Sequence, residues 1–272
     1  MFGAIIGDIV GSRFEFDEHK SKDFNLFGND GIIDIPCEYT DDSVMTVAVA
    51  DALLELEMQE DDEEFKKLLI DKMHYHGRKR MNAGFGRNFY FWLETRCREP
   101  YNSWGNGSAM RVAPVGWVAD SLDKTEKIAR VSAEVTHNHP EGIKGAQAVA
   151  AAIWMARNGK DKNEIRKYIE QKYYPNAFQK RLDEIRPDYE FDVSCQGTVP
   201  VALEAFYESD SFEDALRNAV SVGGDSDTLT DITAGIAEAY FGIPDLIRSE
   251  AMTFLDDEMR EITVRFAERF QN

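Results

Sequence analysis

Apolar residues return at three- and four-residue spacing in one segment after another, a period that builds helices rather than sheets. In 43–56 the positions Val44, Val47, Ala48 and Leu54 share one face, and a second helix is expected over 63–76. In 142–158, Ile143, Ala146, Val149, Ala150, Ile153 and Trp154 do the same before Gly159 stops the helix. Ser211, Phe212, Glu213 and Asp214 stand in the order of a capping arrangement, opening a helix that runs to about Val222 and ends at Gly223 and Gly224. Helical patterns over 228–241, 246–255 and 258–270 complete the chain, and strand-like alternation is confined to short pieces such as 32–39. The expectation is an all-α fold. No fixed-period repeat or Ser/Gly-rich linker interrupts it, so residues 1–272 read as a single domain. The acidic run 55–64 reads as a solvated helix end and turn, and 173–194 as a surface excursion.

Charge narrows the function. The formal net charge of -19 repels phosphate backbones and offers no counterion release, which argues against a direct nucleic-acid partner. Backbone N–H groups and bound cations can still make a positive pocket inside an acidic surface. Cys37, Cys97 and Cys195 are too few and too scattered for a disulfide framework or a cysteine-rich zinc site, which fits a reducing, cytoplasmic setting. The N-terminal segment lacks the basic start and long apolar run of a signal peptide, and no stretch reaches membrane-spanning length.

Two short segments concentrate oxygen ligands immediately before helices. Thr40, Asp41, Asp42 and Ser43 form one; Asp225, Ser226, Asp227 and Thr228, after two glycines, form the other. Either alone reads first as helix capping, where Thr, Asp and Ser belong at a positive dipole end. Together they supply the carboxylate and hydroxyl oxygens preferred by hard divalent cations, in numbers sufficient for two ions if the helices bring the turns face to face. Gly7, Asp8, Gly11 and Ser12 match neither a dinucleotide fingerprint nor a P-loop; the glycines are expected to allow close helix packing and then release a mobile loop carrying Glu15. Gly105, Asn106, Gly107, Ser108, Ala109, Met110 and Arg111 place small residues where consecutive N–H groups can converge on a phosphate, or simply make a turn with Arg111 as an ion-pair partner. His137 and His139 lie two apart before Pro140, the wrong spacing for zinc on a helix, and read as a polar ligand contact or a structural histidine.

In this order, Gly7-Asp8-x-x-Gly11 with Glu15, Thr40-Asp41-Asp42, Gly105-Asn106-Gly107 with Met110-Arg111, Thr136-His137 and Gly224-Asp225-x-Asp227-Thr228 together resemble the ADP-ribosylglycohydrolase family over nearly the whole chain. The resemblance implies an all-α orthogonal multi-helix bundle with a binuclear metal site in a surface cleft. It implies two Mg2+ or Mn2+ ions on Thr40, Asp41, Asp42, Asp225, Asp227 and Thr228, with Glu15 on the second metal or acting as acid/base, and Glu15 or the metal-linked Asp41 handling the proton. The Gly105 to Arg111 loop would receive the diphosphate, and His137 would approach the ribose attached to the leaving group. The implied substrate is an ADP-ribosylated protein or a small ADP-ribose derivative, with an arginine linkage preferred by analogy. Two rivals share these residues: a binuclear phosphoesterase, which would yield AMP from ADP-ribose, and a non-catalytic ADP-ribose-binding protein on the same fold.

Overall fold

The computed structural model describes residues 1–17, 19–28, 35–56 and 62–271. Its first half contains α1 (Phe2–Ser12), α2 (Asp41–Glu55), α3 (Asp62–Lys79), α4 (Arg87–Glu94), α5 (Gly107–Met110), α6 (Val115–Val118), α7 (Leu122–Glu134) and α8 (Pro140–Arg157). The second half contains α9 (Lys162–Lys172), α10 (Leu182–Ile185), α11 (Cys195–Tyr207), α12 (Phe212–Val220), α13 (Ser226–Phe241), α14 (Asp245–Ala251) and α15 (Asp257–Phe270). Among the described residues there is no strand, only an isolated antiparallel bridge between Gly105 and Ser194. Residues 35–39 of the expected strand-like piece form no regular structure, and its remainder lies outside the described residues, as does the middle of the acidic run.

Local chemistry accounts for the helix ends. Thr40 caps α2, its Oγ1 accepting from the Asp42 N–H at 3.3 Å, and Ser211 caps α12 by accepting from the Asp214 N–H at 3.1 Å. Asp161 and Glu164 close a reciprocal capping box on α9. His139 Nδ1 accepts from the Glu141 N–H at 3.1 Å, and Pro140 then occupies the first turn of α8, so this histidine is a structural cap.

At the centre stands α13, buried at every residue from Ser226 to Glu238. It runs antiparallel to α1 with the two backbones in contact. A Cβ placed on Gly3, Gly7 or Gly11 would sit 2.2 Å, 2.2 Å and 2.4 Å from the carbonyl oxygens of Ala234, Thr230 and Ser226, respectively. The four-residue spacing on both sides is one helical turn, so each glycine meets the next carbonyl along. Antiparallel packing therefore brings the C-terminal end of α1 beside the N-terminal end of α13. Alanine-rich α8 lies close to the same core: Gly145 admits the Cys195 side chain, and Gly116 on α6 admits Ile153.

The segment 173–194 is more than a surface excursion. Tyr173, Tyr174, Phe178 and Leu182 are buried, because their rings and side chains complete the core beneath α9 and α11. No helix among the described residues is long and apolar enough to cross a membrane. If the α1 contact is as tight as this, Gly7→Ala must push backbone away from backbone, and the variant should lose about 1–3 kcal/mol of stability in denaturant unfolding. An unchanged midpoint would mean that the helices separate without cost.

Candidate functional site

The N-termini of α2 and α13 meet over the end of α1, and Asp8 holds that of α2 in place. Its carboxylate is fully buried and accepts from the Thr40 N–H at 2.9 Å, the Thr40 hydroxyl at 2.7 Å, the Ser43 N–H at 3.0 Å and the Ser43 hydroxyl. A carboxylate placed against the first turn satisfies donors that the helix leaves unpaired. The Thr40 hydroxyl also lies 3.4 Å from Asp227 Oδ2, linking the two turns.

Around this strut the acids converge. One carboxylate oxygen each from Glu15, Asp225 and Asp227 lies within 4.8 Å of the others, while Asp41 and Asp42 line the same cleft outside that tight group. Asp225 and Asp227 sit at the start of α13, and Glu15 follows α1 in a hydrogen-bonded turn, its N–H 3.4 Å from the Ser12 carbonyl, rather than in a mobile loop. Asn106 Nδ2 donates to Asp225 Oδ2 at 2.6 Å and to Thr198 Oγ1 at 3.1 Å, fixing the orientation of Asp225. Burial, then the neighbouring charges of Asp227 and Asp8, pushes the Glu15 carboxyl from its ordinary 4.5 to about 8. Burial also raises Asp225 to about 6, and Asp41, Asp42 and Asp227 are driven well above the usual carboxylate range, by burial first and then by Asp227 for Asp41 and Asp42 and by Asp225 for Asp227.

The donor set fits a hard cation. It is all oxygen, none of these carboxylates pairs with a basic side chain among the described residues, and Asp42 Oδ1 is buried there without a hydrogen-bond partner. The nearby guanidinium of Arg111 does not compensate, since it is 1% exposed and donates to the Ser132 carbonyl at 3.0 Å and Thr136 Oγ1 at 2.9 Å.

These acids occupy one end of a cleft of about 570 Å³, and the glycine-rich segment forms its wall. Gly105, Asn106, Gly107, Met110, Arg111 and His137 line it, whereas Ser108 and Ala109 are fully buried, with the Ser108 hydroxyl donating to the Gly142 carbonyl at 2.7 Å. The Ala109 and Met110 N–H groups turn back on the Asn106 carbonyl, leaving Gly107 and Ser108 to lead the turn. His137 is buried, its Nδ1 2.7 Å from Thr136 Oγ1, and burial followed by the Arg111 charge holds its basicity well below the usual histidine range. A neutral imidazole thus faces the loop, where a Cβ on Gly107 would stand 3.1 Å from Nε2.

Of the residues singled out from sequence, Glu15, Asp41, Asp42, Asp225, Asp227 and Thr228 all line this cleft; Thr40 borders a neighbouring cavity. Sequence reasoning gave no role to Asp8, although a lone acid within the apolar run Phe2–Ser12 was the available signal. It also passed over Phe89, Tyr101, Phe191 and Val193, apolar walls of the cleft that no motif marks. Asp231, one turn beyond Asp227, is fully buried with neither oxygen hydrogen-bonded among the described residues.

Comparison with known proteins adds a family. The model for the family described as ADP-ribosylglycohydrolase matches residues 1–272. ADP-ribosylarginine hydrolase Tri1 of Pseudomonas putida (strain GB-1) is 28% identical over 270 residues, covering 89% of this chain and 70% of that protein. ADP-ribosylhydrolase ARH3 of Homo sapiens is 26% identical over 314 residues, covering 89% of this chain and 84% of that protein. A solved structure titled "ADP-ribosylglycohydrolase-related protein complex" superposes with a TM-score of 0.74 at 23% identity, covering 98% of this chain and 96% of that one, which shows a shared fold.

The raised carboxyls have a consequence for stability. Glu15 binds its proton more tightly folded than at its ordinary 4.5, so between that value and about 8 the folded state carries more protons than the unfolded one, and stability falls as pH rises. In chelator, the melting temperature should therefore drop between about pH 5.5 and about pH 8.5, Glu15→Gln should flatten the drop, and Mg2+ or Mn2+ should reverse it. A pH slope that survives Glu15→Gln unchanged would remove Glu15 as its source.

Proposed function

From the premise that this chain belongs to the ADP-ribosylglycohydrolase family, we propose that it hydrolyses the glycosidic bond of ADP-ribosylated targets and releases ADP-ribose, with residues 1–272 acting as a single domain. The observation that carries this reading is the convergence of the Glu15, Asp225 and Asp227 carboxylates at the end of a cleft walled by a glycine-rich turn. Asp41, Asp42, Thr40 and Thr228 complete the oxygen set proposed to hold divalent cations. Two Mg2+ or Mn2+ ions held there would neutralise the carboxylates and fix the vicinal hydroxyls of the distal ribose.

The protein's own residues then divide the work. The glycine-rich turn offers the Gly107 N–H to the diphosphate, while Ser108 and Ala109 are buried behind it. Arg111 supports that turn from behind through Ser132 and Thr136, a positioning role. Neutral His137 offers a hydrogen bond to the ribose without adding charge. Asn106 keeps the Asp225 carboxylate aimed into the cleft. An oxocarbenium-like transition state gains from the surrounding carboxylates, and Glu15, at the edge of the acid cluster, can hold a proton at its carboxyl for the leaving group or take one from water. Asp41 is the alternative proton carrier on the opposite turn. An arginine linkage is the preferred substrate, supported by likeness to a protein named as an ADP-ribosylarginine hydrolase.

The test incubates the purified protein with arginine-linked and serine-linked ADP-ribosyl peptides, with Mg2+ or Mn2+ or after chelation, and identifies products by mass spectrometry. Intact ADP-ribose, released only with the cation, is expected. AMP would point to phosphoester cleavage, and tight ADP-ribose binding without turnover to a binding role. Asp227→Ala should abolish release while the helical circular dichroism persists. Asn106→Ala, which removes the amide that orients Asp225, should lower turnover about 10- to 100-fold. Full activity in either variant would exclude that residue from the centre.

A further inference from the structure

One ammonium outside the cleft joins three of the chain segments that build it. Lys20 is half-buried and lines neither the cleft nor the neighbouring cavity whose wall Glu15 shares. Its Nζ donates to the Tyr189 carbonyl at 2.9 Å and to the Val222 carbonyl at 2.7 Å. A lysine beside a helix end ordinarily satisfies the last carbonyls of that helix alone. Lys20 instead divides its bonds between the chain just past α12 and a second, remote segment. Each segment so joined delivers a group to the cleft: the loop of Lys20 itself carries Glu15, the stretch after Tyr189 carries Phe191 and Val193, and the turn after Val222 leads into Asp225.

The three segments differ in what else holds them. The described part of 13–28 is stiffened from within: buried Arg13 donates to the carbonyls of Gly28 and Asn25, each at 2.7 Å. Phe14, His19 and Phe24 pack ring against ring beside it, with centres 4.6 to 5.6 Å apart. Phe16 adds a tie to the second segment, its ring stacked on Phe191 at 5.9 Å. The turn before Asp225 has less stiffness of its own, because Gly223 and Gly224 both stand at a φ of 73°, a region glycine enters freely and leaves as freely. Neighbours confine it from two sides. A Cβ on Gly223 would meet Lys20 Nζ at 3.0 Å, and one on Gly224 would meet Tyr189 Cε1 at 2.9 Å and the Glu190 carbonyl oxygen at 3.0 Å.

We propose that Lys20 is a positioning residue for the cleft: its ammonium pins the Gly223–Gly224 turn to the 189–193 segment and to the Glu15 loop, and thereby sets Asp225 in register with Glu15. The assignment rests on the reading of the cleft as a divalent-cation site and deepens it. Carboxylates that share an ion must hold their oxygens to within about 0.2 Å of the required distances. Glu15 and Asp225 stand on different segments, and the glycine turn beside Asp225 can relax unless something outside it fixes the backbone. Lys20 does so from a distance, as the groups behind a metal ligand orient the ligand itself.

Two measurements separate this proposal from the reading beneath it. Hydrogen exchange followed by mass spectrometry, in chelator, reads the clamp itself. Lys20→Met keeps the length of the stem and removes the donors, so exchange should rise in peptides covering 189–193 and 222–225 while α8 and α15 stay protected as in the wild type. Lys20→Arg, which keeps the charge and N–H donors, should restore part of that protection. Lys22→Met is the control: Lys22 lies two residues away on the same loop and pairs at the surface with Asp214 at 2.6 Å, so its loss changes the net charge equally without touching the turn. Titration with Mn2+, followed by electron paramagnetic resonance, reads the consequence. Affinity should fall about 10-fold in Lys20→Met, recover in part in Lys20→Arg and match the wild type in Lys22→Met. Unchanged exchange at the turn in Lys20→Met, or raised exchange with Mn2+ affinity intact, would overturn the proposal and leave the cation site standing. An equal loss of affinity in Lys22→Met would trace the effect to net charge and overturn it as well. A wild-type protein that binds no Mn2+ would sink the cation reading itself, and this proposal with it.

Discussion

The contact on which this structure depends is made by atoms that are missing. Gly3, Gly7 and Gly11 have no Cβ, so α1 lies with its backbone against the carbonyls of α13, one turn against the next. At ordinary helix separations the end of α1 would stand several ångströms farther from the start of α13. The close approach puts Asp8 under the first turn of α2, Glu15 beside Asp225 and Asp227, and the two acid-bearing turns within reach of one hydroxyl. Packing and chemistry are thus the same feature seen at two ends of one helix pair.

That approach carries an electrostatic load. Five acids face one end of the cleft, and every resolved shift among them is upward, with burial as the leading cause. Such a group is tolerated only if the surroundings hold it rigidly and something else offsets its charge. The rigid part is visible: helix N-termini beneath Asp41, Asp42 and Asp227, the Asn106 amide on Asp225, and Asp8 tied by four hydrogen bonds to Thr40 and Ser43. The offsetting part is absent from the protein's own basic residues. Arg111 points away toward Ser132 and Thr136, and Arg80 is paired elsewhere. A site arranged in this way is balanced for a cationic ligand.

Helices with an uninterrupted apolar period were legible from sequence to within a few residues: α2, α3, α8, α12, α13 and α15 lie where the pattern places them. Those with no assigned pattern have physical reasons for hiding. Helix α11 contains Gly197 and Pro200, residues that usually break helices; the close approach of Asp192 to Gly197 and the fit of the segment between α8 and α13 override that signal. Helix α1 is buried on nearly all sides, so its apolar residues show no amphipathic stripe. The acids were legible because hard-ligand chemistry leaves short, dense clusters, and the cleft walls were not, because Phe89, Tyr101 and Phe191 reach the site from segments remote in sequence. Asn106 is intermediate: its motif marked it, but only the fold reveals that its amide is engaged with a carboxylate.

Glu15 differs from the other acids in the kind of backbone that carries it. Asp41, Asp42, Asp225 and Asp227 are at helix starts, where Asp227 accepts from the Thr228 N–H at 2.9 Å and Asp225 from the Asn106 amide at 2.6 Å. Glu15 is one turn beyond the end of α1, more exposed than Asp225 and Asp227, and it is the acid shared by the two cavities. A group that must hold a ligand rigidly is best placed at a helix start, and a group that must exchange a proton is best placed where burial and solvent compete. The close packing of α1 on α13 produces both conditions, because the same turn that brings Glu15 near Asp227 also brings the helix to its end.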